Sequence, residues 1–125
     1  MAKLGDVLGL VWYTGAGARA SLRFSTTSDA GGRWTSPQEL QGGLNDANHP
    51  HLAAFEGAFW VIFQAREGWE PVRAWVAKVG DAPSPLPSLA GGVNYPRLAP
   101  GNAGRLYATW TEGSKVVLCR ARLAR

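Results

Sequence analysis

Thr27-Ser28-Asp29-Ala30-Gly31-Gly32-Arg33-Trp34 is the stretch from which the rest of the chain is read. It has the form Ser/Thr-x-Asp-x-Gly-x-x-Trp and lies between two strand-like runs at 21–26 and 35–40. The spacing has a physical reason. A short hydroxyl side chain and a carboxylate two residues apart can take up backbone N–H groups in a tight turn. Gly31 supplies a conformation that a Cβ would obstruct. Trp34 then folds back as an apolar plug against the strands the turn joins. Such a turn is scaffold, and it leaves the chemistry open.

Outward from the octet, the sequence repeats itself with a period of roughly 46–51 residues. His49-Pro50-His51-Leu52-Ala53 matches Tyr95-Pro96-Arg97-Leu98-Ala99, and Leu40-Gln41-Gly42-Gly43-Leu44-Asn45 matches Leu89-Ala90-Gly91-Gly92-Val93-Asn94. Leu8-Gly9-Leu10-Val11-Trp12, Phe59-Trp60-Val61-Ile62-Phe63 and Leu106-Tyr107-Ala108-Thr109-Trp110 align as one apolar strand seen three times. Alternation at Leu22, Phe24 and Thr26, and again at Val72, Ala74 and Val76, marks half-buried strands, with 115–123 as their counterpart. No stretch carries a helical period with caps.

Composition agrees with a turn-rich all-β chain. The 125 residues suffice for one domain with a core. Gly 16 and Pro 8 punctuate apolar runs rather than diluting them. The single Cys119 excludes an internal disulfide framework and reads as a core thiol in an apolar strand. The net charge is +4, and Lys115, Arg120, Arg122 and Arg125 gather near the C-terminus, read as a solvated strand face or, alternatively, as an attraction to acidic partners such as sialylated or sulfated glycans. No nucleic-acid-binding motif is present, so no nucleic-acid partner is expected. No run of about 18 apolar residues occurs, so no membrane partner is expected either. Met-Ala-Lys-Leu-Gly-Asp at the start does not read as a signal segment, which leaves the compartment open, a secreted or periplasmic origin included.

Octet and repeat together resemble the Asp-box (BNR) repeats of sialidase-like β-propellers. The resemblance implies four-stranded antiparallel blades, with strands a to d running outward from a central axis. It makes Thr27, Asp29, Gly31 and Trp34 a structural Asp-box, and divides a single domain 1–125 into units of approximately 1–45, 46–94 and 95–125. Unit one begins with a stub. Unit two keeps Asp81 but has lost its Asp-box, and Pro83, Pro85 and Pro87 confine its last strand to a ragged outer edge. Unit three stops after its third strand. The chain then holds about two and two-thirds blades, whereas propellers close with four to eight. Fewer blades leave apolar faces and strand edges in water. The expected partner is therefore the chain itself, most simply a dimer completing a six-bladed ring, unless the sequence is a piece of a longer protein.

In that geometry His49, His51, Tyr95 and Arg97 fall near the mouth of the central funnel, with the loop Arg66-Glu67-Gly68-Trp69-Glu70 on the same face. Trp69 offers a platform for the apolar face of a sugar, and Arg66 and Arg97 offer planar donors for a carboxylate. Plainer readings stand beside these. A His-Pro-His turn is usually conformational, and two histidines with no third ligand near in sequence make a weak metal site, so no metal is expected. Tyr95 and Arg97 also suit packing at a funnel wall. Trp12, Phe63 and Trp110 recur at equivalent positions and read as core, as do Trp60 and Trp75.

The catalytic motifs that a sialidase would need are missing. No Arg-Ile-Pro segment occurs, and Glu67 and Glu70 are the only carboxylates that suggest themselves as a pair, with nothing to set them around a bond. Gly-x-Ser-x-Gly, phosphate-cradling and metal-cluster signatures are absent from the sequence, and no cofactor is expected. Fold does not carry activity with it. The expectation is a non-catalytic, self-assembling BNR-repeat module with carbohydrate as its ligand; the alternative is a degenerate or fragmentary sialidase-like glycoside hydrolase.

Overall fold

The computed structural model of the chain describes residues 1–15, 20–87 and 92–121. They form strands and no helix. β1 (Ala2–Leu4), β2 (Val7–Thr14), β3 (Ser21–Thr27) and β4 (Gln38–Glu39) make a first antiparallel sheet in that order. β5 (Asn45–Phe55), β6 (Ala58–Arg66), β7 (Arg73–Lys78) and β8 (Ser84–Pro85) make a second. β9 (Val93–Pro100), β10 (Leu106–Glu112) and β11 (Lys115–Ala121) make a third, of three strands. Each sheet is a meander built from contiguous sequence, and the three do not close into a ring.

Local chemistry sets the reversals. Phe55 pairs with Ala58 across Glu56 and Gly57, both with positive φ (48° and 75°), the two-residue turn whose twist suits a hairpin. Between Glu112 and Lys115 only Gly113 has positive φ (60°), matching the turn type that wants glycine first.

The second sheet lies between the other two and is covered on both faces. Val61, Phe63, Ala65, Trp75 and Ala77 pack towards the first sheet, with its Leu22 and Phe24. Ile62, Ala74 and Val76 pack towards the third, with its Leu98, Leu106, Ala108 and Trp110. This explains why β6 reads as a continuous apolar run: a strand buried on both sides has no solvent face to mark with polar residues. Each large side chain so buried contributes about 1.5–3 kcal/mol of transfer free energy. The first strands of the sheets are neighbours, β1 beside β5 and β5 beside β9. At the first interface Gly9 lies so close that a Cβ there would sit 2.9 Å from both Leu52 Cδ2 and Phe59 Cε1.

Several expectations are adjusted. The all-β meander of four, four and three strands is present, but β5 starts at Asn45, ahead of the short Pro-x-Leu-Ala segment, and carries register shifts on both sides of Asn48. The strand expected at 35–40 is reduced to Gln38–Glu39, because Thr35 serves the turn instead. Its hydroxyl accepts the Thr26 N–H at 3.0 Å, and its carbonyl accepts the Ser25 hydroxyl at 2.6 Å. Trp34 is 43% exposed and so is an incomplete plug. Phe63 and Trp110 are core, whereas Trp12 is only partly buried, at the edge of an open groove that it lines with Leu10 and Trp34. Cys119 is only partly buried, and that burial raises its thiol pKa. Leu89, Ala90 and Gly91 of the repeat, and Arg122, Leu123 and Arg125 at the end, lie outside the described residues.

Candidate functional site

The octet at 27–34 folds as a hydrogen-bonded turn. Thr27 Oγ1 donates to Asp29 Oδ1 (2.8 Å) and accepts the Gly31 N–H (3.1 Å), while Asp29 Oδ1 also accepts the Arg33 N–H at 2.8 Å. These donors, Arg33 first and Thr27 second, hold the Asp29 carboxyl below its ordinary pKa. Ala30 and Gly31 take positive φ at the bend (59° and 93°). The side chains are occupied in shaping the backbone, and Asp29 is tied to its own turn.

The matched segments His49-Pro50 and Tyr95-Pro96 adopt the same unusual backbone. His49 and Tyr95 both have φ near the left-handed well (50° and 54°), each directly before a proline, where steric crowding favours extended backbone. Non-glycine residues held there cost about 1–3 kcal/mol each, sustained only by their surroundings. The consequence is a re-aimed pair of rings: His49 and Tyr95 meet edge to face with centroids 5.0 Å apart. Gln64 Oε1 accepts the Tyr95 N–H at 3.3 Å. One step along, His51 Nδ1 accepts the Leu98 N–H at 3.0 Å and links β5 to β9. That bond requires the Nδ1 lone pair. Burial, then the Arg97 charge, then the N-terminal amine hold the His51 pKa below 6.5.

A second group forms where β6 runs into its loop. Asn45 pairs with Arg66 across the β5–β6 ladder, and Asp46 Oδ2 lies 2.6 Å from Arg66 Nε. The Arg66 guanidinium sits 5.5 Å from the Trp69 ring centroid. Asn45, Asp46, Arg66, Gly68 and Trp69 line a cleft of about 380 Å³. Trp69 is 89% exposed. Glu70 N–H donates to the Glu67 carbonyl at 3.0 Å, so the two loop glutamates share one turn.

The structure thus joins Arg66 to Trp69, His49 to Tyr95, and His51 to the strand carrying Arg97. Asp46 and Gln64 escaped the sequence reading. Asp46 fell at the boundary between repeat units, and Gln64 lay inside an apolar run; the only available signal was a polar residue at a buried strand position. Among the described residues no three His, Cys, Asp or Glu side chains gather as a metal site.

No family model, no curated protein and no solved structure matches this chain.

Proposed function

We propose that the chain is a non-catalytic β-propeller module of the BNR-repeat kind, that it completes its ring with further copies of itself, and that it binds carbohydrate through the Trp69 cleft. The observation carrying the ligand reading is the exposure of Trp69. An indole left 89% in water on a tight turn contributes almost nothing to the fold, yet offers a flat apolar face. Beside it, Asp46 engages one edge of the Arg66 guanidinium, leaving the remaining donors in a fixed plane for hydroxyl or carboxylate oxygens. A sugar, with an apolar face and a polar rim, matches both halves. Three meanders of four, four and three strands and the Asp-centred turn support the architecture.

The hydrolase alternative draws no support from these groups. Glu67 and Glu70 belong to one turn, and the His51 Nδ1 that a general base would use is engaged by Leu98. The test is a glycan-array screen followed by calorimetry on the strongest binder. Trp69→Ala should abolish binding with no change in melting temperature. Silence across neutral and acidic glycans, or binding indifferent to Trp69, overturns the ligand reading.

A further inference from the structure

The three sheets stack by one repeated rule, and among the described residues the rule leaves the outer face of the last sheet exposed and the matching face of the first only partly covered. On the side that looks to the following sheet, register and repeat make three pairs equivalent: Leu22 and Phe24, Ala74 and Val76, Val116 and Leu118. Leu22 and Phe24 are buried towards the second sheet, and Ala74 and Val76 towards the third. Val116 and Leu118 occupy the same place on the last sheet and are 77% and 66% exposed. On the opposite side the equivalent residues are Trp12, Phe63 and Trp110. Phe63 and Trp110 are 0% and 1% exposed against the preceding sheet. Trp12 has no preceding sheet and instead lines, with Leu10 and Trp34, an open groove of about 520 Å³.

We infer that a second copy of this chain seats its Trp12 groove on the Val116–Leu118 face, continuing across the subunit boundary the packing that already joins the three sheets within one chain. This rests on the self-assembly reading above and specifies the surfaces it uses. The occupant follows from continuity: the bare face of the last sheet is the counterpart of one that receives Trp110, and the face that carries Trp12 is the counterpart of the one that carries Trp110. A contact of this kind is head-to-tail, so each chain gives one face and receives the other, and two copies closing on each other use both.

Paired charge substitutions test the assignment. The 125-residue chain should run as an assembly by light scattering and native mass spectrometry. Trp12→Glu alone and Leu118→Lys alone should each raise the dissociation constant at least about 30-fold, as loss of a central apolar anchor does. Mixed one to one, the two variants should reassemble. The groove with the introduced carboxylate on one chain then meets the face with the introduced ammonium on the other, and the remaining interface is wild type. Leu118 is two-thirds exposed, so Leu118→Lys should keep its circular dichroism and melting temperature under dilution, which separates lost assembly from lost folding. A larger ring broken by the same substitutions supports the pairing equally. An assembly indifferent to both variants overturns the face assignment while leaving self-assembly standing. A single-chain mass at every concentration overturns both, and neither result bears on the glycan test.

Discussion

Phe24 and Leu118 occupy equivalent positions, one with a sheet against it and one without, and replacing each by alanine measures what that sheet contributes. Phe24 is 6% exposed and meets Phe59 edge to face at 5.6 Å between ring centroids. Removing a buried phenylalanine loses its transfer free energy and leaves a cavity, together about 3–5 kcal/mol. Against a total of about 5–15 kcal/mol for a domain, that is a large fraction. With an unfolding entropy of about 0.26 kcal/mol/K for a chain of this length, a loss of about 4 kcal/mol lowers the melting temperature by about 15 °C. Leu118 keeps two-thirds of its surface in water, and Leu118→Ala should fall within about 0.5 kcal/mol of wild type in the isolated chain. The assay is urea unfolding followed by tryptophan fluorescence, at dilutions where light scattering shows single chains. Phe24→Leu, expected to cost under about 1.5 kcal/mol, serves if the alanine variant does not fold. Comparable losses for substitutions at Phe24 and Leu118, or a loss under about 1 kcal/mol for Phe24→Ala, would refute the shared packing rule.

The remaining predictions concern the turn, the inter-sheet bond and the tightest approach. Thr27→Val removes a hydroxyl from Asp29 and the Gly31 N–H, both of which water can still reach, and should cost about 0.5–1.5 kcal/mol in urea unfolding. His51 has its folded pKa depressed, so its contribution is fully present above the ordinary histidine value and is lost as pH falls through the lower folded one. Urea midpoints measured from about pH 8 down to 5 should fall for wild type and fall less for His51→Asn, which keeps an acceptor for Leu98 but does not titrate. Gly9→Ala places a methyl 2.9 Å from Leu52 and Phe59, and should cost about 1–3 kcal/mol of overpacking, seen as a lower melting temperature.

Much of the architecture was legible because it is written as local pattern. The octet at 27–34 specifies a turn through hydroxyl, carboxylate and glycine at fixed spacing, and those groups bond as that chemistry requires. The threefold apolar run marks β2, β6 and β10, and the shared Pro-x-Leu-Ala segments mark β5 and β9. Other features left no such trace. Left-handed backbone at His49 and Tyr95, each directly before a proline, is a tertiary result contrary to local preference, and β5 starts earlier than expected. Repetition marked Trp12 as core beside Phe63 and Trp110, but it could not show that the first sheet of the chain has no preceding sheet to bury it. The cleft was half visible: Arg66 and Trp69 share a loop, whereas Asp46 reaches them only through the β5–β6 ladder.

The middle sheet, alone in having both faces covered, also governs how the molecule opens. Each outer sheet can peel away by surrendering one interface, while β6 and β7 reach solvent only when both are surrendered. Amide protons should therefore exchange in tiers, slowest along β6 and β7 and fastest on β1 and β11. Damage would be graded in the same way. A substitution at the fully buried Ile62 or Phe63 should lower the stability of the whole chain, whereas one at the exposed Lys3 or Val116 should cost little.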